Sequence, residues 1–282
     1  MRLRPLLASP LCAALFAGSP GCDYKADEGV PQRVERGWTV VWEDEFEGDA
    51  GARPDASRWT FDLGRGESGW GNNELQTYTD GADNVALTGS GELAITARAE
   101  ARDGAEYTSA RVKTQGLFAT TYGRVEARIK LPSGAGIWPA FWMLGEDVTT
   151  VGWPRSGEID IMELRGQEPD VVAGTLHGPG FSGGNPISDE YFLPDGERFD
   201  EGFHVFAVEW DPGRVAWFVD DVLYSIVTSA QVPAGGDWVF DHPFFIILNV
   251  AVGGNYVGPP NAATSFPQTM LVDWVRVLAR TP

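Results

Sequence analysis

The sequence predicts an all-β, two-sheet sandwich, and three observations carry that reading. Arg124 to Leu131 alternates strictly, with Val125, Ala127, Ile129 and Leu131 on one side and Arg124, Glu126, Arg128 and Lys130 on the other. A period of two belongs to a strand with one buried and one solvated face. About a dozen further short apolar or β-branched runs recur along the chain, joined by glycine-rich connections. The 35 glycines and 19 prolines supply the turns of such a fold, and 43% hydrophobic residues supply a substantial core. No proline- or serine-rich linker and no internal repeat divides residues 37–282, which read as one domain.

Ahead of that domain lies a leader. Arg2 and Arg4, then the apolar run Leu6 to Ala17, form the charged and hydrophobic regions of a secretory signal, too short for a spanning helix. Residues 1–21 are expected to be a signal peptide. Gly21-Cys22 resembles the end of a bacterial lipoprotein signal, although Ser19 and Pro20 depart from the usual aliphatic pattern and ordinary cleavage nearby is the alternative. Residues 22–36 then form a polar tether. The expected location is an outer-membrane or cell-surface lipoprotein, or a secreted protein, touching membrane only through lipid on Cys22. A mature chain from Cys22 keeps one cysteine, which excludes an intramolecular disulfide. Removing residues 1–21 takes away two arginines and no acid, leaving 19 basic against 40 acidic side chains, a charge of −21. Such a surface repels nucleic acid and disfavours sulfated glycans, whereas a neutral polysaccharide is indifferent to it. A monomer is expected.

The elements follow in order. Trp38 to Phe46 reads as the first strand and Trp59 to Leu63 as a short second one. Gly64 to Asn73 holds four glycines around Trp70 and is a loop, the kind of segment that carries binding residues on a rigid β scaffold. Glu92 to Arg98 and Thr108 to Thr114 are strands. Ile137 to Leu144 is apolar on both faces; Trp138 and Trp142, four apart, share one face, either as core packing or as a platform for sugar rings. Val171 to Leu176 leads to His177, a structural hydrogen bonder or a ligand-binding side chain. His204 alternates opposite the apolar face of Phe203 to Trp210 and is a weaker candidate for the same cleft. Val215 to Val219 and Leu223 to Val227 are joined at Asp220-Asp221 by a tight hairpin. Phe244 to Val252 and Met270 to Leu278 complete the strands.

Between Pro154 and Gly166 lies Glu158-Ile-Asp-Ile-Met-Glu163. On a helix, at about 100° per residue, Asp160 would lie on the far side from Glu158. On a strand the two share a face while Ile159 and Ile161 point the other way. A regular strand would then bury Glu163 beside the isoleucines, at a cost of several kcal/mol for an unpaired carboxylate. One extra residue at Ile161–Met162, a β-bulge, returns Glu163 to the acid face and gives Leu164 to the core. The triple alone also suits an edge strand with a solvated acidic face.

The surroundings add to it. Trp153-Pro-Arg-Ser-Gly-Glu-Ile-Asp-Ile-Met-Glu resembles the active-site strand of glycoside hydrolase family 16, in particular its laminarinase-like β-glucanases. The resemblance continues in Gly69-Trp-Gly-Asn-Asn-Glu-Leu-Gln, Tyr107-Thr-Ser-Ala-Arg, Gly136-Ile-Trp-Pro-Ala-Phe-Trp-Met, Thr175-Leu-His-Gly-Pro-Gly and Leu248-Asn-Val-Ala-Val-Gly-Gly-Asn, in family order from about Trp38 to Leu278. It implies a β-jelly roll with a concave substrate cleft and a retaining hydrolysis of internal β-1,3 or mixed β-1,3/1,4 linkages of glucans such as laminarin. It implies Glu158 as nucleophile, Glu163 as general acid/base and Asp160 between them, with Asn73, Arg111, Trp138, Trp142, Trp153, His177 and Asn249 lining the substrate site. No cofactor is needed for this chemistry. The family often carries a structural calcium, which here would use Glu45, the Gly91 carbonyl and Asp273; Asp273 is otherwise a surface acid on an alternating strand. The rival readings are a non-catalytic β-glucan-binding module, whose members typically lack the glutamates, and a family 16 enzyme for another β-glycan such as agar.

Overall fold

The structure, a computed structural model, describes residues 34–35 and 37–281, which lie in one compact unit, Arg33–Pro282. The signal peptide and most of the expected tether fall outside the described residues. The strands are β1 (Val34–Glu35), β2 (Trp38–Asp44), β3 (Thr60–Asp62), β4 (Gln76–Tyr78), β5 (Val85–Leu87), β6 (Leu93–Ala97), β7 (Tyr107–Ser109), β8 (Arg111–Lys113) and β9 (Gly123–Lys130). They continue with β10 (Ile137–Gly145), β11 (Glu158–Leu164), β12 (Val171–His177), β13 (Ile187–Phe192), β14 (His204–Asp211), β15 (Arg214–Val219), β16 (Val222–Thr228), β17 (Phe244–Val252) and β18 (Gln268–Arg280). Val34 and Glu35, inside the stretch read as a tether, pair with Thr39 and Trp38, so the sheet begins earlier than the sequence suggested.

Two antiparallel sheets face each other. The nine-stranded sheet runs β1-β2-β18-β9-β14-β15-β16, with β6 and β5 branching from β18; the seven-stranded sheet runs β13-β12-β11-β10-β17-β8-β3. The inward residues of β9 (Val125, Ala127, Ile129) meet those of β10 and β11 (Phe141, Met143, Ile159, Ile161, Met162, Leu164) in one core, all essentially inaccessible. Each large apolar side chain so buried stabilises the fold by about 1.5–3 kcal/mol. β10 and β17 are apolar on both faces because a second, smaller cluster forms on the outer side. There Leu144, Phe245 and Ile247 are covered by Ala119, Trp142 and Val148. At the expected hairpin Asp220 and Asp221 both take positive φ, 48° and 63°, the pairing of a two-residue turn between β15 and β16.

Candidate active site

β11 lies near the middle of the seven-stranded sheet, between β10 and β12. Against β12, Asp160 faces Thr175 and Glu163 faces Ala173, so Ile161 and Met162 together oppose Gly174. Against β10, Asp160 faces Trp142 and Met162 faces Phe141, again leaving Ile161 extra. This is the bulge at Ile161–Met162. Both of its side chains, and Leu164, go to the core, while Glu163 returns to the side of Glu158 and Asp160.

What holds the bulge comes from the other sheet. Trp217 of β15 donates its indole N–H to the Asp160 carbonyl at 2.8 Å, taking the place of a ladder partner in a buried setting. Its ring occupies space that only a glycine leaves. A Cβ on Gly174 would stand 2.4 Å from Trp217 Cδ1 and 2.5 Å from the Tyr224 hydroxyl. Neither Trp217 nor Gly174 stood out in the sequence, because they act across more than forty residues of chain.

The three carboxyls have no basic partner; among the described residues no Arg or Lys pairs with any of them. His177, opposite Glu158 at the end of β12, approaches instead, its Nε2 3.4 Å from Asp160 Oδ2 and 3.6 Å from Glu158 Oε1. Burial first, and then the charge of Asp160, push both Glu158 and Glu163 up to about 8. Burial also raises Asp160 well above the ordinary carboxyl range. Crowded, poorly solvated carboxyls retain protons near neutrality and titrate as a set. Trp138 donates its indole N–H to Glu163 Oε1 at 2.9 Å, which favours the ionised form and opposes the rise.

The remaining residues named from the sequence surround this strand, with different tasks. Trp142 donates to Asn249 Oδ1 at 2.8 Å, and the Asn249 amide donates to the Tyr78 hydroxyl at 3.2 Å. Asn249, buried, is thereby a brace for Trp142 rather than an open ligand. Arg111 lies with its guanidinium carbon 4.7 Å from the centroid of Trp142 and 4.9 Å from that of Trp70, held by the Asp62 carboxylate at 2.9 Å. Asn73 donates to Asn255 Oδ1, tying the Gly69–Asn73 loop to the turn after β17. Trp153 is 47% exposed, its ring 5.9 Å from that of His177, an open aromatic surface at the rim. Tyr256, missed in the sequence, packs 5.2 Å from Trp138, with the Arg165 guanidinium carbon 4.5 Å from its ring centroid. Glu74, also missed, is buried beneath the cleft, bonded to Gln76 and the Tyr78 hydroxyl, and burial raises its carboxyl.

One expectation is corrected. His204 does not reach the cleft: it lies on β14 of the other sheet, 2.7 Å from Asp220. The expected calcium residues converge, since β18 pairs with both β2 and β6 and a Cβ on Gly91 would stand 3.8 Å from the Glu45 carbonyl oxygen. Their side chains do not form an anionic cage. The Glu45 carboxylate lies 2.7 Å from Arg276, and Asp273 is bonded to Arg128.

A strand of three crowded, poorly solvated carboxyls beside open aromatic surfaces is the geometry of sugar chemistry. A family model, Glycosyl hydrolases family 16, matches residues 71–276, from the Trp70 loop to the last strand. The chain belongs to glycosyl hydrolases family 16. It is 45% identical over 249 residues to a beta-glucanase of Rhodothermus marinus, a match covering 85% of each chain. The laminarinase catalytic domain of Thermotoga maritima shares its fold with a TM-score of 0.82 at 47% identity, over 87% of this chain and 99% of that one. An endo-beta-1,3-glucanase from Pyrococcus furiosus has a TM-score of 0.81 at 49% identity, over 86% and 95%. The family 16 jelly roll places the sequence-expected trio on one strand, as the resemblance implied.

Proposed function

We propose that the protein is a retaining endo-β-1,3-glucanase, cleaving internal linkages of laminarin-like or mixed-linkage glucans, with Glu158 as nucleophile and Glu163 as general acid/base. The observation that carries this reading is the bulged β11, which brings three carboxyls, ion-paired to no Arg or Lys among the described residues, to one face. Retention uses carboxyls about 5–5.5 Å apart. Glu158 and Glu163 oppose Leu144 and Ala140 of β10, four positions apart, or roughly 13 Å along a regular strand. Their side chains must lean together over Asp160.

In the first step Glu163, kept protonated by its surroundings, gives its proton to the leaving glycosidic oxygen while Glu158 attacks the anomeric carbon. A protonated Asp160 removes one negative charge from beside Glu158 and so lets the nucleophile ionise. In the second step Glu163, now a base, takes a proton from water, and the water displaces Glu158. The open cleft, floored by Trp142 and Arg111 and rimmed by Trp153, suits the apolar faces of glucosyl units. The relatives' printed activities, beta-glucanase, laminarinase and endo-beta-1,3-glucanase, support the linkage. Intact acids disfavour a purely binding role. A calcium ion, if held, would rest on backbone carbonyls near Glu45 and Gly91 and take no part in these steps. The leader from Arg2 to Cys22 supports export with a lipid anchor, which mass spectrometry of the mature N-terminus tests.

The substrate is tested by product analysis on laminarin, lichenan and agarose. Short β-1,3 oligosaccharides released early from laminarin are expected; reducing sugar from agarose but not laminarin would overturn the assignment.

A further inference from the structure

Part of the acid strand's geometry is not used by proton chemistry. His177 Nε2, Asp160 Oδ2 and Glu158 Oε1 form a compact triangle. The nitrogen stands 3.4 and 3.6 Å from the two oxygens, and one donor atom from each residue lies within 4.8 Å of the others. Ligands bound to a tetrahedral zinc ion at about 2.0–2.1 Å stand roughly 3.4 Å from each other, so the two histidine edges already have that span and the third lies within 4.8 Å. Asp160 is 3% exposed, yet its Oδ2, 3.4 Å from His177 Nε2, has no hydrogen-bond partner among the described residues. A buried carboxylate oxygen left unsatisfied is costly and calls for an explanation.

We propose that Glu158, Asp160 and His177 are a binding site for a zinc-class divalent cation that reversibly shuts off hydrolysis. One imidazole and two carboxylates suit zinc, whereas magnesium and calcium take all-oxygen sets. The fourth position opens to the cleft, where water or a substrate hydroxyl completes the shell. An ion there engages the Glu158 carboxylate, so Glu158 cannot attack an anomeric carbon. Glu163, bonded to Trp138, stays outside the set. Among the described residues His177 Nδ1 has no partner to orient the ring, which weakens the site without removing it. The inhibitory part rests on the reading of Glu158 as nucleophile; the binding part does not.

The chain has three histidines, which makes the test clean. His204 faces Asp220 alone, and His242 stands 3.9 Å from Asp147 alone. Untagged, metal-stripped protein is titrated calorimetrically with zinc chloride, with magnesium chloride as control, and laminarin hydrolysis is followed in parallel. One zinc per chain is expected, with no binding of magnesium. Affinity should fall by at least about tenfold in His177→Gln and in Asp160→Asn. It should be unchanged in His204→Gln, His242→Gln and Glu163→Gln. Inhibition of the wild type should be competitive with laminarin. Absence of zinc binding in the wild type, undiminished binding in both His177→Gln and Asp160→Asn, or loss in His204→Gln or His242→Gln would overturn the site. Stoichiometric binding with undiminished hydrolysis would overturn the inhibitory role and with it the placement of Glu158. Normal hydrolysis with no zinc bound would overturn the metal site alone.

Discussion

Two charged strands of this molecule make opposite use of their acids. On β9 the buried guanidinium of Arg124 lies 2.7 Å from Glu126, 2.7 Å from Asp221 and 3.5 Å from Glu209, and Arg128 is bonded to Asp273. On β11 Asp160 is as buried and Glu158 and Glu163 partly so, yet among the described residues the only basic side chain within ion-pair distance of them is His177. Pairing on β9 makes the charges structural. On β11 the same burial, without cations, drives carboxyls towards their protonated forms. An acid becomes a proton donor here by being denied a partner.

The contrast can be broken from the β9 side with the largest effect. Arg124→Ala removes the shared cation and leaves Glu126 buried without it, and breaking such a buried pair costs about 3–5 kcal/mol. Urea unfolding at neutral pH should show that loss, with the hydrolytic pH profile unmoved. A loss below about 1 kcal/mol would mean that the β9 charges are not structural.

The β11 side should respond with the opposite sign. The folded-state pKa of Glu163, about 8, lies above its usual value of 4.5, so the folded protein binds that proton more tightly than the unfolded chain. The resulting stability is present below pH 4.5 and is lost as pH rises towards 8. Glu163→Gln, which cannot ionise, should therefore melt like the wild type in acid. Above pH 8 it should be more stable by roughly 1–3 kcal/mol, the shift being shared across the coupled trio. Equal stability curves at all pH values would contradict the raised acid.

A smaller effect sharpens the same point. Trp138→Phe deletes the one hydrogen bond that favours ionised Glu163. At about 1 kcal/mol for such a bond, the alkaline limb of kcat/KM should move upward by roughly 0.7 of a pH unit. A purely structural tryptophan would lower activity and leave the limb in place.

Much of this was legible along the chain, and the reasons differ by residue. Alternation marks β9 because one face is solvated, and the parity of Glu158, Asp160 and Glu163 marks the bulge because a charge cannot replace Leu164 in the core. The partners of the bulge were not legible. Trp217 and Gly174 meet only after the sheets pack, and nothing local distinguishes this tryptophan from ten others. Asn249 read as a ligand, yet packing gives both ends of its amide to Trp142 and Tyr78. The arginines beside Glu45 and Asp273, Arg276 and Arg128, lie on neighbouring strands and were not legible either. His204 misled because alternation fixes a face of a strand but not which sheet the strand joins.

The roles on β11 are tested most directly by azide rescue of Glu163→Ala. Turnover of laminarin should fall by about 10²–10⁴-fold, the usual contribution of general acid–base catalysis. An aryl β-glucoside of laminaribiose, whose leaving group needs little protonation, should still form the glycosyl-enzyme on Glu158. Added azide should then restore release with a β-glycosyl azide as product. A fully active Glu163→Ala enzyme, or an α-glycosyl azide from it, would contradict the account, because Glu163 would not be the group that the bulge delivers to the glycosidic bond.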